Sequence, residues 1–142
     1  MEKEISLKDQ TIFGFYGSLR KGEYNYVHLL KDKEGVEYMH SAKTKGYKLY
    51  SLGSFPVILP SGDDRPLTID LFKITNPVVK GRIDGMEIGA GYERKLVTVG
   101  DHEVLIYVGG AGAENYVSED GIIPDGDWSN RNNTRRHLNV GR

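Results

Sequence analysis

The chain has 142 residues, with 19 basic and 20 acidic side chains, a formal net charge of −1 and no cysteine. The length allows one folded core, and the balanced charge argues against a strong electrostatic nucleic-acid binder. Without cysteine there is no disulfide and no thiolate nucleophile, and the four scattered histidines lack metal-ligand spacing. The charged N-terminus lacks the apolar segment of a signal peptide, and no apolar run reaches membrane-spanning length. We therefore expect a cytoplasmic protein without a metal site and without a nucleic-acid or membrane partner.

The first predicted elements are a strand, a loop and a short helix. Residues 1–10 are polar and predict a loose lead-in. The β-branched and aromatic residues of 11–16 favour a strand, which ends at a basic, glycine-bounded loop over 17–23. Apolar residues then recur at helical spacing and predict a short helix over 24–33.

The loop from Gly17 to Gly22 is the most informative part of the chain. Its glycine spacing is that of the start of a P-loop, but Glu23 stands where the phosphate-binding lysine should be. Gly14, Gly17 and Gly22 also do not match the dinucleotide-binding fingerprint. Such a loop after a buried strand can direct backbone N–H groups toward a carboxylate or carbonyl oxygen. From its residues alone, it is equally well explained as a structural turn.

The rest of the chain predicts further short strands and one more helix. Apolar runs predict strands over 44–52, 57–59, 67–74, 92–99 and 104–108, the last two as a hairpin. Thr75-Asn76-Pro77 has the residues of a helix start, and Gly89-Ala90-Gly91 ends that helix. About six strands and two helices without regular alternation predict an α+β fold with a small mixed β-sheet or β-barrel. We expect a single domain over 11–130 and a basic tail over 131–142.

Two carboxylates on the second predicted helix are candidates for proton transfer. Asp84 and Glu87 are three residues apart and so lie on neighbouring faces. Glu87 stands between Met86 and Ile88, near the end of the helix. Partial desolvation there would raise its pKa toward the range of a general base. The spacing alone favours the alternative, that both acids are ordinary solvated helix residues.

Four segments of the chain carry a resemblance to one known family. They are Tyr16-Gly17-Ser18-Leu19-Arg20-Lys21-Gly22 with Asn25, Gly53-Ser54-Phe55-Pro56-Val57-Ile58-Leu59-Pro60, Ile83-Asp84-Gly85-Met86-Glu87 with Tyr92-Glu93-Arg94-Lys95-Leu96-Val97, and Ile123-Pro124-Asp125-Gly126-Asp127-Trp128. In this order, over about 11–130, they resemble the gamma-glutamylcyclotransferase-like family. Two departures concern Ile69-Asp70-Leu71-Phe72, which lacks the family's glycine before its acid, and Ile88, which replaces the glycine after the family's glutamate.

The resemblance implies the gamma-glutamylcyclotransferase-like fold and a cofactor-independent reaction on a small γ-glutamyl amide. In that reaction the α-amine attacks the γ-carbonyl, 5-oxoproline forms and the attached amine leaves. Glu87 matches the general acid and base. The substrate-binding residues implied are Tyr16, Gly17, Ser18, Leu19 and Tyr92.

Other charged residues near these motifs are expected to have structural roles. Arg94 is expected to pair with an acid and to hold the second helix against the strand that follows. Arg20 and Lys21 are expected to be solvated. Ser18 is not expected to be a nucleophile, because no histidine is placed to activate it.

Two further functions compete with catalysis. The first is a non-catalytic module that binds a small metabolite in the same pocket, which the departures at Asp70 and Ile88 make credible. The second is a nucleic-acid or protein-interaction domain that uses Arg131, Arg135 and Arg136, although the net charge near zero argues against nucleic acid.

Overall fold

The computed structural model describes residues 5–53 and 55–133. Its strands and α-helices are, in chain order, β1 Ile12–Phe15, α1 Tyr24–Leu29, β2 Val36–Lys45, β3 Tyr47–Ser51, β4 Pro56–Pro60, β5 Pro66–Ile74, α2 Pro77–Gly89, β6 Tyr92–Val99 and β7 His102–Gly109. Short 3-10 turns occur at Leu7–Asp9, Ala113–Asn115, Glu119–Gly121 and Trp128–Asn133. The start of the predicted lead-in, Ser54, and most of the predicted basic tail with Arg135 and Arg136 lie outside the described residues.

Five strands form one mixed sheet in the order β2-β5-β1-β7-β6. The central strand β1 is antiparallel to β5, with Phe13 opposite Phe72, and parallel to β7, with Phe13 opposite Leu105. Strands β3 and β4 form a separate antiparallel hairpin. The predicted α+β fold with a mixed sheet is confirmed. Closure into a barrel is not observed, because the edge strands β2 and β6 do not pair within the described ranges.

Both faces of the sheet are covered, which explains its long apolar runs. Along β7, Val104, Ile106 and Val108 point into one core, whereas Leu105 and Tyr107 point into another. This alternation follows from the two-residue period of a strand. The first core also contains Leu49 and Ile58 of the β3–β4 hairpin, and the second contains Val79 and Ile83 of α2. The sheet therefore lies between the hairpin and the helices.

Helix α2 begins where the sequence predicts. The Asn76 side chain accepts hydrogen bonds from the N–H groups of Val78 (2.9 Å) and Val79 (3.3 Å), and Pro77 occupies the first helical position. These bonds satisfy N–H groups that have no partner within the helix. The cap fixes where α2 begins and therefore where its last turn, with Glu87, lies.

Three elements differ from the predictions. Strand β2 was not predicted, because it is an edge strand without a buried residue and its two-residue period is broken by a bulge between Tyr38 and His40. The predicted strand over 44–52 is divided at Gly46, whose φ of 97° turns the chain from β2 into β3. Helix α1 ends at Leu29, shorter than predicted.

The segment after β7 returns to the β3–β4 hairpin and to β5 and is fixed to both by backbone hydrogen bonds. The Ile123 N–H donates to the Leu49 carbonyl (2.9 Å), and the Thr68 N–H donates to the Gly126 carbonyl (2.8 Å). The Trp128 ring is buried in the first core. Gly126 has a φ of 66°, and a Cβ on it would lie 1.8 Å from the Pro66 carbonyl oxygen. No side chain fits there without moving the start of β5.

We predict that Gly126→Ala lowers the free energy of unfolding by at least about 3 kcal/mol, because backbone strain adds to a steric clash with backbone. Gly100→Ala is the matched control. Its φ of 59° is similar, but nothing lies within 4 Å of its added Cβ, so we expect a loss of about 1 kcal/mol. Urea denaturation of both variants checks this, and equal losses would contradict it.

Candidate active site

A cavity of about 410 Å³ opens at the end of β1. Its walls are the loop after β1, the last turn of α2, the turn before β4, and the rings of Tyr92 and Tyr107. All the site residues predicted from the sequence line it, namely Glu87, Tyr16, Gly17, Ser18, Leu19 and Tyr92. The structure thus brings together residues up to 76 positions apart in the chain (92 − 16). Their chemical roles remain predictions.

Charged side chains beside strand β5 hold the loop that follows β1. Asp70 on β5 accepts a hydrogen bond from the Lys21 N–H (2.8 Å), and its Oδ2 lies 3.4 Å from Arg20 Nε. Arg20 Nη1 lies 2.5 Å from Asp127 Oδ1. The Arg20 side chain is only 11% exposed, so the prediction that Arg20 is solvated was wrong. The cause is Asp70, because a carboxylate in a buried strand requires a charged or hydrogen-bonding partner. Lys21 is exposed, as predicted.

The upper side of the same loop faces the cavity. Within the described part of the chain, no hydrogen bond uses the N–H group of Gly17, Ser18 or Leu19 as its donor. The Ser18 hydroxyl accepts a hydrogen bond from Asn25 Nδ2 (2.7 Å). A Cβ on Gly17 would lie 2.5 Å from Cγ of Pro56, so glycine allows the loop to approach the turn before β4. The loop is therefore held by hydrogen bonds and ion pairs on the side of Asp70, and the N–H groups of three of its cavity-lining residues have no acceptor among the described residues.

Asp84 joins α2 to the two strands that follow it. Its oxygens accept hydrogen bonds from Arg94 Nε (2.6 Å), Arg94 Nη2 (2.5 Å) and the Tyr107 hydroxyl (2.9 Å). The expectation that Arg94 pairs with an acid is confirmed. The Arg94 hydrogen bonds hold the pKa of Asp84 below its usual range against an opposing effect of burial, and the Tyr107 bond adds to the lowering. Asp84 is therefore a structural anion.

Glu87, one turn further along α2, has the opposite electrostatics. Its side chain is half-buried in the cavity wall, and no hydrogen bond from a described residue reaches its carboxyl group. Desolvation, and then repulsion from Asp84, raise the pKa of Glu87 from 4.5 to about 7. The side chain can therefore both accept and release a proton near neutral pH.

Three tyrosines complete the cavity wall. The Tyr92 hydroxyl donates a hydrogen bond to the Pro56 carbonyl, and the Tyr16 hydroxyl donates to the Tyr107 carbonyl (2.7 Å). Burial raises the pKa of all three phenols, and the Glu87 carboxylate adds to each shift. They stay protonated at neutral pH and act as fixed donors. The Tyr16 ring, for which the sequence left open a place in the core or in the pocket, belongs to both.

The sequence did not identify Tyr107 as part of the site. It lies in the continuous apolar run of β7, where no change in pattern marks a residue with a polar contact. Asp70 departs from the family pattern, and one acid inside an apolar strand is itself a signal for a buried cation. Neither Asp70 nor Ile88 is among the residues that line the cavity. Both departures therefore lie outside the cavity wall.

The remaining charged candidates are placed elsewhere. Arg131 donates a hydrogen bond to the Trp128 carbonyl (3.1 Å), lies over the Trp128 ring and is 3.4 Å from a Glu23 oxygen.

Within residues 5–53 and 55–133, no group of three or more histidine, aspartate or glutamate side chains is placed to hold a metal ion. Over the same ranges, no helix has the length and apolar character needed to cross a membrane.

A family model described as gamma-glutamyl cyclotransferase, AIG2-like, matches residues 13–130. The chain belongs to this family. No curated protein sequence is significantly similar to it. The matched range includes every residue named above as lining the cavity. The AIG2-like family supports a cyclotransferase-type function in general terms.

Solved structures share the fold at low sequence identity. An uncharacterized protein from Pyrococcus horikoshii has a TM-score of 0.67 and 22% identity, over 84% of this chain and 91% of its own. An AIG2-like protein from Mus musculus has a TM-score of 0.62 and 19% identity, over 75% and 81%. Protein ytfP from Escherichia coli has a TM-score of 0.60 and 21% identity, over 85% and 98%. These likenesses establish the AIG2-like fold.

The raised pKa of Glu87 predicts a pH dependence of stability in this AIG2-like protein. Between pH 4.5 and 7 the folded state holds a proton that the unfolded state releases, so the contribution of Glu87 to stability falls as the pH rises through this range. Glu87→Gln removes the titration. As the pH rises from 4.5 to 8, we expect the free energy of unfolding of the variant to increase relative to that of wild type by an amount on the order of 2 kcal/mol.

Urea denaturation over this pH range measures the difference. Glu37→Gln, which neutralises an exposed carboxylate on the edge strand β2, is the control for loss of one negative charge. Parallel stability curves for wild type and Glu87→Gln would show that Glu87 titrates normally and would contradict the assignment.

Proposed function

We propose that this protein converts a γ-glutamyl amide into 5-oxoproline and a free amine. The α-nitrogen of the substrate forms a bond to its own γ-carbonyl carbon, and the bond from that carbon to the amide nitrogen breaks. Of the three protons on the α-ammonium, one remains on the lactam nitrogen and two end on the leaving group, which departs as an ammonium ion. The reaction therefore needs a group that accepts a proton and then returns it.

Glu87 is the group that carries this proposal. It is a half-buried carboxyl in the cavity wall, with no hydrogen-bond partner among the described residues and a pKa of about 7. As the carboxylate it takes a proton from the α-ammonium, and as the acid it protonates the leaving nitrogen. The neighbouring Asp84 cannot replace it, because Arg94 and Tyr107 already occupy its oxygens. Two nearby carboxyls with pKa values shifted in opposite directions support a division between structural anion and acid–base group.

The loop after β1 is suited to hold the negative charges of the substrate. The N–H groups of Gly17, Ser18 and Leu19, with no acceptor among the described residues, would bind the α-carboxylate or the oxyanion of the tetrahedral intermediate. One such donor contributes roughly 3–4 kcal/mol to transition-state stabilisation in other enzymes. The bonds from Asp70 to the loop keep these donors in place before the substrate arrives. Tyr16 and Tyr92 form the walls beside the carboxyl group.

The intramolecular attack explains why few protein groups are needed. Both reacting atoms belong to one substrate, so a cavity that bends the glutamyl chain gives much of the rate through proximity. Ser18 contributes backbone and hydroxyl contacts and is not a nucleophile. Its hydroxyl is engaged by Asn25.

We predict that Glu87→Gln lowers kcat/KM for lactam formation at least about 100-fold, the usual contribution of a general acid–base group. The substrate is any γ-glutamyl amide that the wild type converts, and mass spectrometry of released 5-oxoproline is the measurement. Glu37→Gln, on the far edge of the sheet, should retain wild-type kcat/KM. Full activity of Glu87→Gln would contradict the assignment of the base. Ligand-induced stabilisation without any turnover by wild type would replace the reaction by a metabolite-binding function.

We also predict the pH dependence of the reaction. Because the base must be ionised, kcat/KM should rise with pH and level off above about pH 7, with a tenfold fall per pH unit well below that value. Initial rates measured from pH 5 to 9 at low substrate concentration give the profile. A plateau that extends down to pH 5 would show that no group with a pKa near 7 limits the reaction.

A further inference from the structure

A second cavity, of about 590 Å³, adjoins the one that contains Glu87. The two cavities share Phe55, Ala90 and Tyr92 as a common wall. The Tyr92 hydroxyl is bonded to the Pro56 carbonyl, next to Phe55 in the chain, so the wall joins β6 to the turn before β4. We call this second space the outer cavity.

The lining of the outer cavity is uncharged. None of the described residues that line it is acidic or basic; besides the shared wall, they are small or aliphatic residues and the ring of Tyr116. Phe55 and Tyr116, which both line this cavity, are 49% and 78% exposed. Exposed rings at the mouth of an apolar cavity are typical of a ligand-binding site.

The position of the outer cavity relative to Glu87 restricts which part of a ligand can occupy it. In the proposed reaction, which this inference presupposes, the glutamyl group lies between Glu87 and the loop after β1. The substituent on the amide nitrogen must extend away from both. The common wall formed by Phe55, Ala90 and Tyr92 is where the inner cavity meets the outer one.

We propose that the outer cavity binds the leaving amine of the substrate and selects an uncharged, apolar amine, above all an aromatic one. An amino acid as leaving group would place its carboxylate among side chains that offer it no cation, and burying an unpaired charge is costly. An aromatic amine would instead stack on Phe55 and Tyr116 and displace water from apolar surface.

Four γ-L-glutamyl amides test the assignment: the methylamide as reference, the 2-phenylethylamide, the 2-carboxyethylamide and the 2-aminoethylamide. With wild-type protein we expect kcat/KM for the phenylethylamide to exceed that for the methylamide at least about tenfold, because a buried ring contributes about 1.5–3 kcal/mol. The two charged amides should not exceed the methylamide.

Two variants locate the effect in the outer cavity. Tyr116→Ser should lower the ratio of kcat/KM for the phenylethylamide to that for the methylamide about fivefold, whereas Tyr24→Ser, which removes a ring of similar exposure (72%) that lines neither cavity, should not change it. Ala111→Asp adds a carboxylate at an exposed lining position. It should lower the same ratio and raise the relative kcat/KM for the aminoethylamide.

The outcomes separate this inference from the proposed function. Lactam from all four amides at similar kcat/KM, a preference for the carboxyethylamide, or equal effects of Tyr116→Ser and Tyr24→Ser would overturn the assignment of the outer cavity and leave the cyclotransferase reaction intact. Absence of lactam from every amide, with folded protein, would overturn the reaction and this assignment with it.

Discussion

Asp84 receives two charge-assisted hydrogen bonds from Arg94 and a third from Tyr107, and this arrangement positions the whole site. It ties the second half of α2 to β6 and β7 and so holds the turn that carries Glu87 beside the cavity. Charge-assisted, two-point bonds are shorter and geometrically stricter than single neutral ones. The same bonds keep Asp84 ionised, and its charge contributes to the raised pKa of Glu87. Structural and chemical functions are thus coupled through one carboxylate.

The opposite wall of the cavity is likewise held by a buried carboxylate, that of Asp70. Asp70 holds the loop after β1 by accepting a hydrogen bond from the Lys21 N–H and by pairing with Arg20. Arg20 also forms an ion pair with Asp127 in the C-terminal segment. That segment is fixed to β5 where Gly126 meets Pro66. Both walls therefore rest on ion pairs anchored in the sheet, and the cavity between them is largely preformed. A preformed cavity suits a reaction in which the substrate must be bent, because the protein has already lost the corresponding conformational freedom.

Much of this arrangement could be predicted from the sequence, because several of its signals are local. The cap at Asn76, the hairpin of β6 and β7 and the glycine-bounded loop after β1 each depend on residues close together in the chain. The edge strand β2 could not be predicted, since a bulge and high exposure remove the periodicity on which strand prediction depends. Arg20 was misjudged because its partners, Asp70 and Asp127, are 50 and 107 residues away (70 − 20 and 127 − 20). The place of Tyr107 in the site could not be predicted, because the contact of its hydroxyl group with Asp84 does not change the apolar sequence pattern of β7.

In the proposed reaction, the two cavities divide the recognition of a γ-glutamyl amide into parts with different physical requirements. The proposed reaction requires the inner cavity to bind a carboxylate and an ammonium group and to move protons, and its lining offers backbone N–H groups, buried phenols and, at Glu87, a carboxyl without a hydrogen-bond partner among the described residues. Any γ-glutamyl amide presents the same glutamyl group to it. Under this proposal, discrimination between amides arises where their amines differ, beyond the wall formed by Phe55, Ala90 and Tyr92. Because Ala111 and Tyr116 line the outer cavity and not the inner one, substitutions at these two positions can change the preferred amine without touching the wall that contains Glu87.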